Sequence, residues 1–372
     1  MFPGDSTTIR CAIKEHRQRK GLSQDELARL VGLRRQAVYE LEAGRYLPNT
    51  AVALRLARAL GCTVEMLFVE DVSAEFGGLH LLHEAETARL FLAPVRGKLV
   101  GVPLSGAPLS FKLDVADAFL LADKTVDCLL PRDRLADTVL ILGCDPALDV
   151  LTGLMAKTAP GIHAHAVFAS SRRALLAVGD GLAHVAGTHY HGFGASDGNL
   201  EALQALLPGL DCLMIAFSVQ EEGLMVAPGN PLGVRSAEDL AGIRLVNREE
   251  GAALRKLLDS ELSRLDMPVS GIEGYTEEVR SHFEGAIRVA GGAADAALGL
   301  RIVAKSLGLD FVPLVTTRCD LVIPKDLLDQ PGIAVLLDIL QSSGLRKELR
   351  SLPGYDVSDV GKMVSGQGFS KG

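Results

Sequence analysis

The chain has 372 residues, with 46 acidic residues against 38 lysines and arginines, and 48% of its residues are hydrophobic. This length exceeds the size at which one hydrophobic core usually stops growing, so several domains are expected. The composition is typical of a globular protein and excludes a largely disordered chain. No apolar run has the length of a membrane span, and the first residues lack the pattern of a secretory signal. We therefore expect a cytoplasmic protein without a membrane partner.

The charge is unevenly distributed along the chain. Residues 1–70 contain 11 lysines and arginines and 8 acidic residues, a balance of +3, so the net charge of -8 leaves -11 for the remainder. This division suits a small DNA-facing domain on an acidic body. The six cysteines are scattered without a CxxC pair, which predicts neither a zinc site nor a disulfide framework. No cofactor is expected.

Residues 8–68 predict a compact helical domain, because their apolar residues recur every three or four positions. The segment SQDE predicts a capping box in which Ser23 and Glu26 start a helix. Ala28, Gly32 and Val38 then follow at the spacing of two helices that meet at a tight turn. On helical periodicity, Leu54 is assigned to the core with Leu41, Ala57, Leu60, Leu67 and Phe68.

Residues 9–68 resemble the phage-repressor-like (Cro/C1, XRE) helix-turn-helix family, through the stretch RQRKGLSQDELARLVGLRRQAVYELEAGRYLPN. The resemblance implies five helices, of which the third, about Arg34–Glu42, enters the major groove. It also implies a structural ion pair between Arg17 and Glu42. The side chains that it places against DNA fall into two groups. The base-reading candidates are Arg34, Arg35, Gln36 and Glu40, and the phosphate-contacting candidates are Gln24 and Arg45.

Two alternatives apply to this domain. Its polar face could be an ordinary solvated helix surface, or it could bind protein instead of DNA, which would make the chain an intracellular ligand carrier or sensor.

One such domain reads about half of an operator, so a homodimer on a double-stranded, inverted-repeat operator is expected.

Residues 71–136 change from helical to strand-like periodicity, in segments such as ARLFLAPV, KLVGVPL and LSFKLDVADAFLLA. We interpret them as a short β-rich connector between a domain at 1–70 and a body at 137–372. His80, His83 and Glu84 lie close in sequence, but partly exposed side chains are the better reading than metal ligands.

Residues 137–372 alternate apolar strands with helices, which favours a parallel α/β fold with two lobes. Ligands in such folds bind beyond the carboxyl ends of strands, where free helix amides can hold an anion. Five loops fulfil this condition, including Ala297–Gly299. The ligand candidates in the others are Cys144, Asp145, Ser170, Ser171, Thr188, His189, Asn247, Arg248 and Gly251.

This region also resembles the periplasmic-binding-protein-like domains of helix-turn-helix regulators, which are related to LysR-type effector domains and molybdate-binding proteins. The matching stretches are LGCDPAL, GLMVAPGNPLGVRSAEDLAGIRLVNREEG, LGLDFVPL and CDLVIPKDLL. The resemblance implies two lobes, a small molecule or oxyanion in the cleft, with molybdate and tungstate among the candidates, and no catalysis. Where relatives carry hydroxyl groups after the NR motif, this chain has Ala252 and Ala253, a departure that favours an organic ligand held by Asp145, His189 and Arg248.

Simpler roles remain open for some of these residues. Asp145, Ser170 and Ser171 could only cap helices, and the pairs His163/His165 and His189/His191 lack an identifiable third metal ligand. The segment GFGASDG is interpreted as a loop beside the cleft. Because HExxH, P-loop and GxGxxG motifs are all absent, we expect a ligand-responsive regulator and not an enzyme.

Overall fold

The computed structural model describes residues 9–70, 76–104, 115–122, 124–130, 132–192 and 197–364. These residues form two compact units, of which the second comprises 93–96 and 133–364 and the first comprises the others. The predicted division of the chain at residues 70 and 136 stays a prediction, because compactness alone does not define functional domains.

The first unit begins with a helical domain. In chain order its elements are β1 (Ile9–Cys11), α1 (Ile13–Arg19), α2 (Gln24–Val31), α3 (Arg35–Glu42), α4 (Thr50–Leu60), α5 (Val64–Leu67) and β2 (Phe68–Glu70). β1 and β2 pair antiparallel and bring the two ends of the domain together. Among the described residues this domain has the five helices that the family resemblance implied.

Local sequence signals explain the turn between α2 and α3. The predicted capping box is confirmed, since the Ser23 side chain accepts from the Glu26 amide and the Glu26 carboxylate accepts from the Ser23 amide. Gly32 ends α2 at φ 66°, a left-handed conformation that glycine adopts without a Cβ clash. The apolar faces of the helices form one core. The assignment of Leu54 to this core was wrong, because its side chain is 45% exposed while α4 packs through Leu56 and Leu60.

A five-stranded sheet follows, with the order β3-β5-β4-β6-β7. Its strands are β3 (Leu79–Leu81), β4 (Ala88–Val95), β5 (Lys98–Pro103), β6 (Ala118–Leu120) and β7 (Val126–Cys128). The strands predicted from ARLFLAPV and KLVGVPL are therefore confirmed. Of the predicted segment LSFKLDVADAFLLA, residues 109–114 lie outside the described residues, and its later part contains β6.

The second unit contains one large mixed sheet with helices on its faces. Its strands are β8 (Thr138–Gly143), β9 (His163–Phe168), β10 (Val185–Thr188), β11 (Cys212–Val226), β12 (Leu245–Arg248), β13 (Glu278–Val279), β14 (Ala296–Leu300), β15 (Asp310–Pro324) and β16 (Tyr355–Asp356). Its longer helices are α7 (Leu148–Thr158), α8 (Ser171–Gly179), α9 (Gly198–Leu206), α10 (Ala253–Arg264), α11 (His282–Ala290), α12 (Arg301–Ser306), α13 (Pro331–Gln341) and α14 (Ser343–Arg350), after a short α6 (Arg132–Leu135).

The sheet order β13-β12-β14-β11-β15-β10-β8-β9 divides this unit into two lobes. Lobe 1 is built on β8, β9 and β10, whose core is closed by α7, α13 and α14. Lobe 2 is built on β12, β13 and β14, packed against α10, α11 and α12. β11 and β15 run through both lobes as antiparallel partners from Cys212/Pro324 to Val226/Asp310.

The parallel pairing predicted from the sequence is confirmed within each lobe and does not extend to these two strands. β8 pairs parallel with β9 and β10, and β12 pairs parallel with β13 and β14, but β11 and β15 pair antiparallel with each other and with their lobe neighbours. Each long strand leaves one lobe and enters the other, so the chain crosses twice in opposite directions. None of the described helices is long and apolar enough to cross a membrane.

Candidate functional site

The exposed face of α3 carries most of the predicted base-reading side chains. Arg34, Arg35 and Gln36 are exposed at the start of the helix, and Glu40 is half-buried one turn further on. The Gln36 amide donates to the Glu40 carboxylate at 3.0 Å, so these two side chains form one hydrogen-bonded pair. The Arg34 side chain does not cap the helix and remains directed to solvent with Arg35. The face therefore combines two cations with an amide–carboxylate pair.

Glu42 anchors α3 to the preceding helices. Its carboxylate accepts from Arg17 Nε at 2.6 Å and from Arg17 Nη2 at 3.2 Å, which confirms the ion pair that the family resemblance implied. The Gln24 amide also donates to Glu42, at 2.8 Å. Gln24 is thus held by the scaffold in the unbound protein, whereas Arg45 is exposed and its guanidinium lies 5.4 Å from the centre of the Tyr39 ring.

A small cavity in the second unit brings together five of the nine predicted ligand residues. Its walls are formed by side chains of lobe 1 and by the start of α10 in lobe 2, and its volume is about 10 Å³. The residues that line it are Cys144, Ser170, Ser171, His189, Arg248, Ala252, Ala253 and Leu254. We call this cavity the Arg248 pocket.

Arg248 is the positive charge of this pocket. It ends β12 and is 3% exposed. Nη1 lies 2.9 Å from His282 Nδ1 and Nη2 donates to the Arg280 carbonyl at 3.2 Å, while Nε has no hydrogen-bond partner among the described residues. No carboxylate forms an ion pair with it in the described part of the chain. Burial lowers the pKa of Arg248, but an arginine stays protonated in proteins.

Two helices begin at the pocket without a capping side chain. α8 starts after Ser170 and α10 starts after Ala252; the Ser170 side chain makes no capping hydrogen bond, and Ala252 has no polar side chain that could make one. The capping role considered for Ser170 is therefore not observed. The first amides of both helices have no acceptor among the described residues, so they can donate to a ligand, and they carry the positive end of the helix dipole.

A buried polar network continues behind the pocket. His189 Nδ1 lies 3.0 Å from Cys144 Sγ and 3.2 Å from Ser171 Oγ, and His189 Nε2 lies 3.6 Å from the carboxylate of Glu222 on β11. The other oxygen of Glu222 lies 2.8 Å from His191 Nε2. Burial lowers the pKa of His189 and raises the pKa of Cys144. The network therefore joins lobe 1 to the lobe 2 half of β11 through a neutral thiol and a buried carboxylate.

Asp145 is engaged on both carboxylate oxygens. Oδ1 accepts from the Ala147 amide at 2.8 Å and from the Tyr355 hydroxyl at 2.5 Å, and Oδ2 accepts from Ser218 at 2.7 Å. Burial raises the pKa of this carboxyl, although the three donors act against the shift. Asp145 therefore fixes the turn that presents Cys144, and its carboxylate does not line the cavity.

The remaining predicted ligand residues also lie outside the pocket lining. Thr188 donates to the Asn199 side chain at 2.9 Å, and Asn247 donates to the Tyr275 carbonyl at 3.0 Å. Gly251 forms a left-handed turn at φ 88° just before α10. The prediction of a loop at Ala297–Gly299 was wrong. These residues lie inside β14, where a run of small and apolar residues is buried on both sides.

A family model for the PBP superfamily domain matches residues 152–341, which is half of the chain. The chain belongs to the PBP superfamily. A helix-turn-helix model matches residues 13–67, which span α1 to α5. This PBP superfamily protein therefore joins the two domain types that its sequence resembles.

Relatives match different shares of the chain. An uncharacterized protein of Bacillus subtilis, YvgK, is 28% identical over 228 residues, which cover 61% of this chain and 73% of YvgK. An uncharacterized HTH-type transcriptional regulator of Methanothermobacter thermautotrophicus is 48% identical over 64 residues, which cover 17% of this chain and 93% of that protein. Among solved structures, the effector-binding domain of QuiR in complex with shikimate aligns with a TM-score of 0.43 and 14% identity, covering 58% of this chain and 98% of that domain.

Sequence reasoning on this PBP superfamily protein missed two contributors to the site. Glu222 lies within a long strand, and no local motif distinguishes it from its neighbour Glu221. His282 begins α11, more than thirty positions after Arg248 in the sequence, and contacts it only in the folded chain. The described residues contain no group of three or more His, Cys, Asp or Glu side chains that could hold a metal ion.

Proposed function

We propose that the protein is a ligand-responsive, DNA-binding transcription regulator, in which α3 reads an operator and the Arg248 pocket binds a small anion. The match to helix-turn-helix domains and the PBP superfamily membership support this combination. The observation that carries the ligand half is Arg248, a buried cation without a carboxylate partner among the described residues.

An anion would complete the chemistry of this pocket. A buried charge is costly unless it is paired and hydrogen-bonded. Arg248 Nε, the free amides at the starts of α8 and α10, and the Ser170 and Ser171 hydroxyls supply donors of the kind that bind phosphate, sulfate, molybdate or a carboxylate. We therefore propose that the anion pairs with Arg248 in place of a carboxylate of the described residues.

The size of the pocket indicates how the ligand acts. Its volume of about 10 Å³ suffices for about one water molecule. A tetrahedral oxyanion or a carboxylate is larger, so it enters only when lobe 1 and lobe 2 move apart. We propose that the ligand thereby selects a more open arrangement of the lobes, and that the two states differ in their affinity for an operator.

The pocket supports two ligand classes that differ in size. An inorganic oxyanion such as molybdate or tungstate would be bound by amides and the Ser170 and Ser171 hydroxyls, since Ala252 and Ala253 supply none. An organic carboxylate would place its charged group at Arg248 and its body between the lobes. The apolar Ala252, Ala253 and Leu254 favour the organic carboxylate.

One observation favours a second candidate function. The order thiol, imidazole and carboxylate in Cys144, His189 and Glu222 is that of a cysteine nucleophile with its base. However, the thiolate is the nucleophile, and burial raises the pKa of Cys144. We propose that this network positions the pocket instead. Cys144→Ser, which keeps a hydrogen-bonding group beside His189, should still bind the anion, whereas a hydrolase activity of the wild type that is lost in this variant would favour the enzyme.

Thermal unfolding of the purified protein tests the ligand half. The panel comprises molybdate, tungstate, sulfate, phosphate and small carboxylates, and a ligand at about 100 times its dissociation constant adds about 2.7 kcal/mol of stability. We expect at least one anion to stabilise the wild type and the Arg264→Met control, but not Arg248→Met. Equal stabilisation of all three proteins would contradict the proposed pocket.

Selection of binding sites from random duplex DNA tests the proposal that α3 reads an operator. We expect an inverted repeat, bound by two copies of the chain, because one helix-turn-helix domain contacts about half of an operator. Arg35→Ala with Gln36→Ala should remove the enrichment, and the exposed Arg58→Ala on α4 should not. Recovery of no common sequence by the wild type would favour a protein-binding role for the helical domain.

A further inference from the structure

The strand β9 forms one edge of the large sheet in the second unit. It pairs in parallel with β8 and, within the described part of the chain, with no other strand. The amides of His163 and Ala169 donate at 3.0 Å to carbonyls along β8. Because backbone groups alternate in direction along a strand, those of Ala164, Ala166 and Phe168 point away from the sheet. β9 therefore presents a row of amides and carbonyls that has no partner strand among the described residues.

The sequence of this edge lacks the features that usually prevent association. Natural edge strands are protected by lysine or other charged side chains, by proline or by bulges. β9 reads HAHAVF, which contains no lysine, arginine, acidic residue or proline, and its pairing with β8 is regular over the whole strand. An unprotected edge of this kind can accept a further strand through its backbone.

The helix beside this edge is α7. It packs on β9, and its half-buried Val150 and Leu154 pack against the core cluster that includes residues of α13 and α14. Because α13 packs on β8, the opposite flank of α7 lies on the side of the open edge. The exposed residues of that flank recur at helical spacing and are Asp149, Gly153, Ala156 and Lys157. We call the β9 edge together with this flank the β9–α7 surface.

Gly153 has no structural role within the described chain. Glycine in the interior of a helix is destabilising relative to alanine. A Cβ atom at this position would nevertheless meet no other atom of the described residues within 4 Å, so internal packing does not require a glycine. The distance at which two helices pack depends on the side chains at their contact. Gly153 and the small Ala156 therefore suit the close approach of a helix from outside the chain.

The charges of this surface are complementary to a second copy of itself. Asp149 lies in the first turn of α7 and Lys157 in the last turn, one turn before and one turn after Gly153. Helices related by a two-fold axis beside Gly153 run antiparallel, so each carboxylate would lie opposite the ammonium group of the other copy. The same axis would pair β9 antiparallel with its counterpart, with Ala166 at the centre. No two like charges would face each other across this axis.

We propose that two copies of the chain associate through the β9–α7 surface, so that their large sheets join into one continuous sheet. This inference goes beyond the proposed function, because the association requires neither the anion nor DNA. It also supplies the two copies that an inverted-repeat operator would bind.

Sedimentation equilibrium of the full chain, without DNA or added anion, tests the proposal. We expect the wild type to be dimeric at micromolar concentration. Ala166→Pro removes an outward-facing amide, which an edge strand tolerates, and Gly153→Leu fills the space at the axis. Each variant should keep the circular dichroism spectrum of the wild type and raise the dissociation constant of the dimer by at least about tenfold. The control Ala334→Leu adds a leucine at an exposed position of α13 and should remain dimeric.

Charge reversal tests the two-fold arrangement. Asp149→Lys places lysines opposite each other at two symmetric positions, and Lys157→Asp does the same with carboxylates. Each variant alone should therefore associate about tenfold more weakly than the wild type. An equimolar mixture of the two variants restores opposite charges at both positions and should recover the dimer.

Three results would overturn the proposal. They are a monomeric wild type, an undiminished dimer in both Ala166→Pro and Gly153→Leu, and a mixture of the charge variants that associates no better than each alone. Arg248→Met, and Arg35→Ala with Gln36→Ala, should remain dimeric. Failure of the anion or DNA proposals is therefore separable from failure of this one.

Discussion

Replacement of Arg248 by methionine should stabilise the unliganded protein. The guanidinium is 3% exposed and makes two hydrogen bonds, to His282 and to the Arg280 carbonyl, while Nε makes none with the described residues. Burial of a cation costs several kcal/mol even after relaxation. The variant is relieved of this cost, but loss of the two hydrogen bonds destabilises it by about 1 kcal/mol each. We therefore expect Arg248→Met to raise the free energy of unfolding by about 1 to 3 kcal/mol.

The same variant should lose its response to anions. Saturation at about 100 times the dissociation constant adds about 2.7 kcal/mol to the wild type, and the variant should gain nothing. Urea unfolding followed by circular dichroism, with and without the stabilising anion, measures both effects. Arg264→Met is the matched control, because Arg264 is exposed and pairs only with Glu261 on the surface. A variant less stable than the wild type without anion, or equally stabilised by it, would refute the reasoning.

Three further predictions concern the helical domain and the core. Arg35→Ala with Gln36→Ala should abolish sequence-specific DNA binding in fluorescence anisotropy while leaving the melting temperature unchanged, since both side chains are exposed. Glu42→Ala should lower the free energy of unfolding of the helical domain by about 3 kcal/mol in urea, because it leaves the mostly buried Arg17 guanidinium unpaired. As a control, loss of the exposed ion pair between Lys362 and Asp359 should lower the free energy of unfolding by under about 1 kcal/mol in the same assay. His184 accepts from the Leu140 amide through Nδ1, and burial lowers its pKa from 6.5 to about 4. Neutral His184 therefore contributes its full stability above pH 6.5, and about 3 kcal/mol of the free energy of unfolding is lost as the pH falls towards 4. The variant His184→Asn keeps a hydrogen-bond acceptor that does not titrate in this range, so it should lose less stability over the same window. An identical pH profile of the free energy of unfolding in the two proteins would contradict the assignment.

Local signals were sufficient to predict the helical domain. The Ser23 capping box and Gly32 at the turn depend on residues whose spacing fixes their geometry. The Arg17–Glu42 pair was implied by the family resemblance and not by a local signal. Leu54 was misassigned because helical periodicity alone does not identify which flank of α4 faces the core.

The body could be predicted only in outline. The candidates that meet in one pocket all follow strands or start helices, which is the position that selected them from the sequence. They are Cys144, Ser170, Ser171, His189 and Arg248. Glu222 lies within one of the two long crossing strands, where sequence alternation indicates burial but not the partner strand. Its role depends on the register between β11 and β15, which only the folded chain defines.

The most direct test of the account measures DNA affinity as a function of ligand. Fluorescence anisotropy on the selected operator, at fixed salt, gives the dissociation constant of the wild type and of Arg248→Met with and without a saturating anion. We predict a change of about fivefold or more in the wild type, the lower range of an allosteric coupling, and none in Arg248→Met. An operator affinity of the wild type that is the same with and without bound anion would contradict the claim that the two domains form a ligand-responsive regulator.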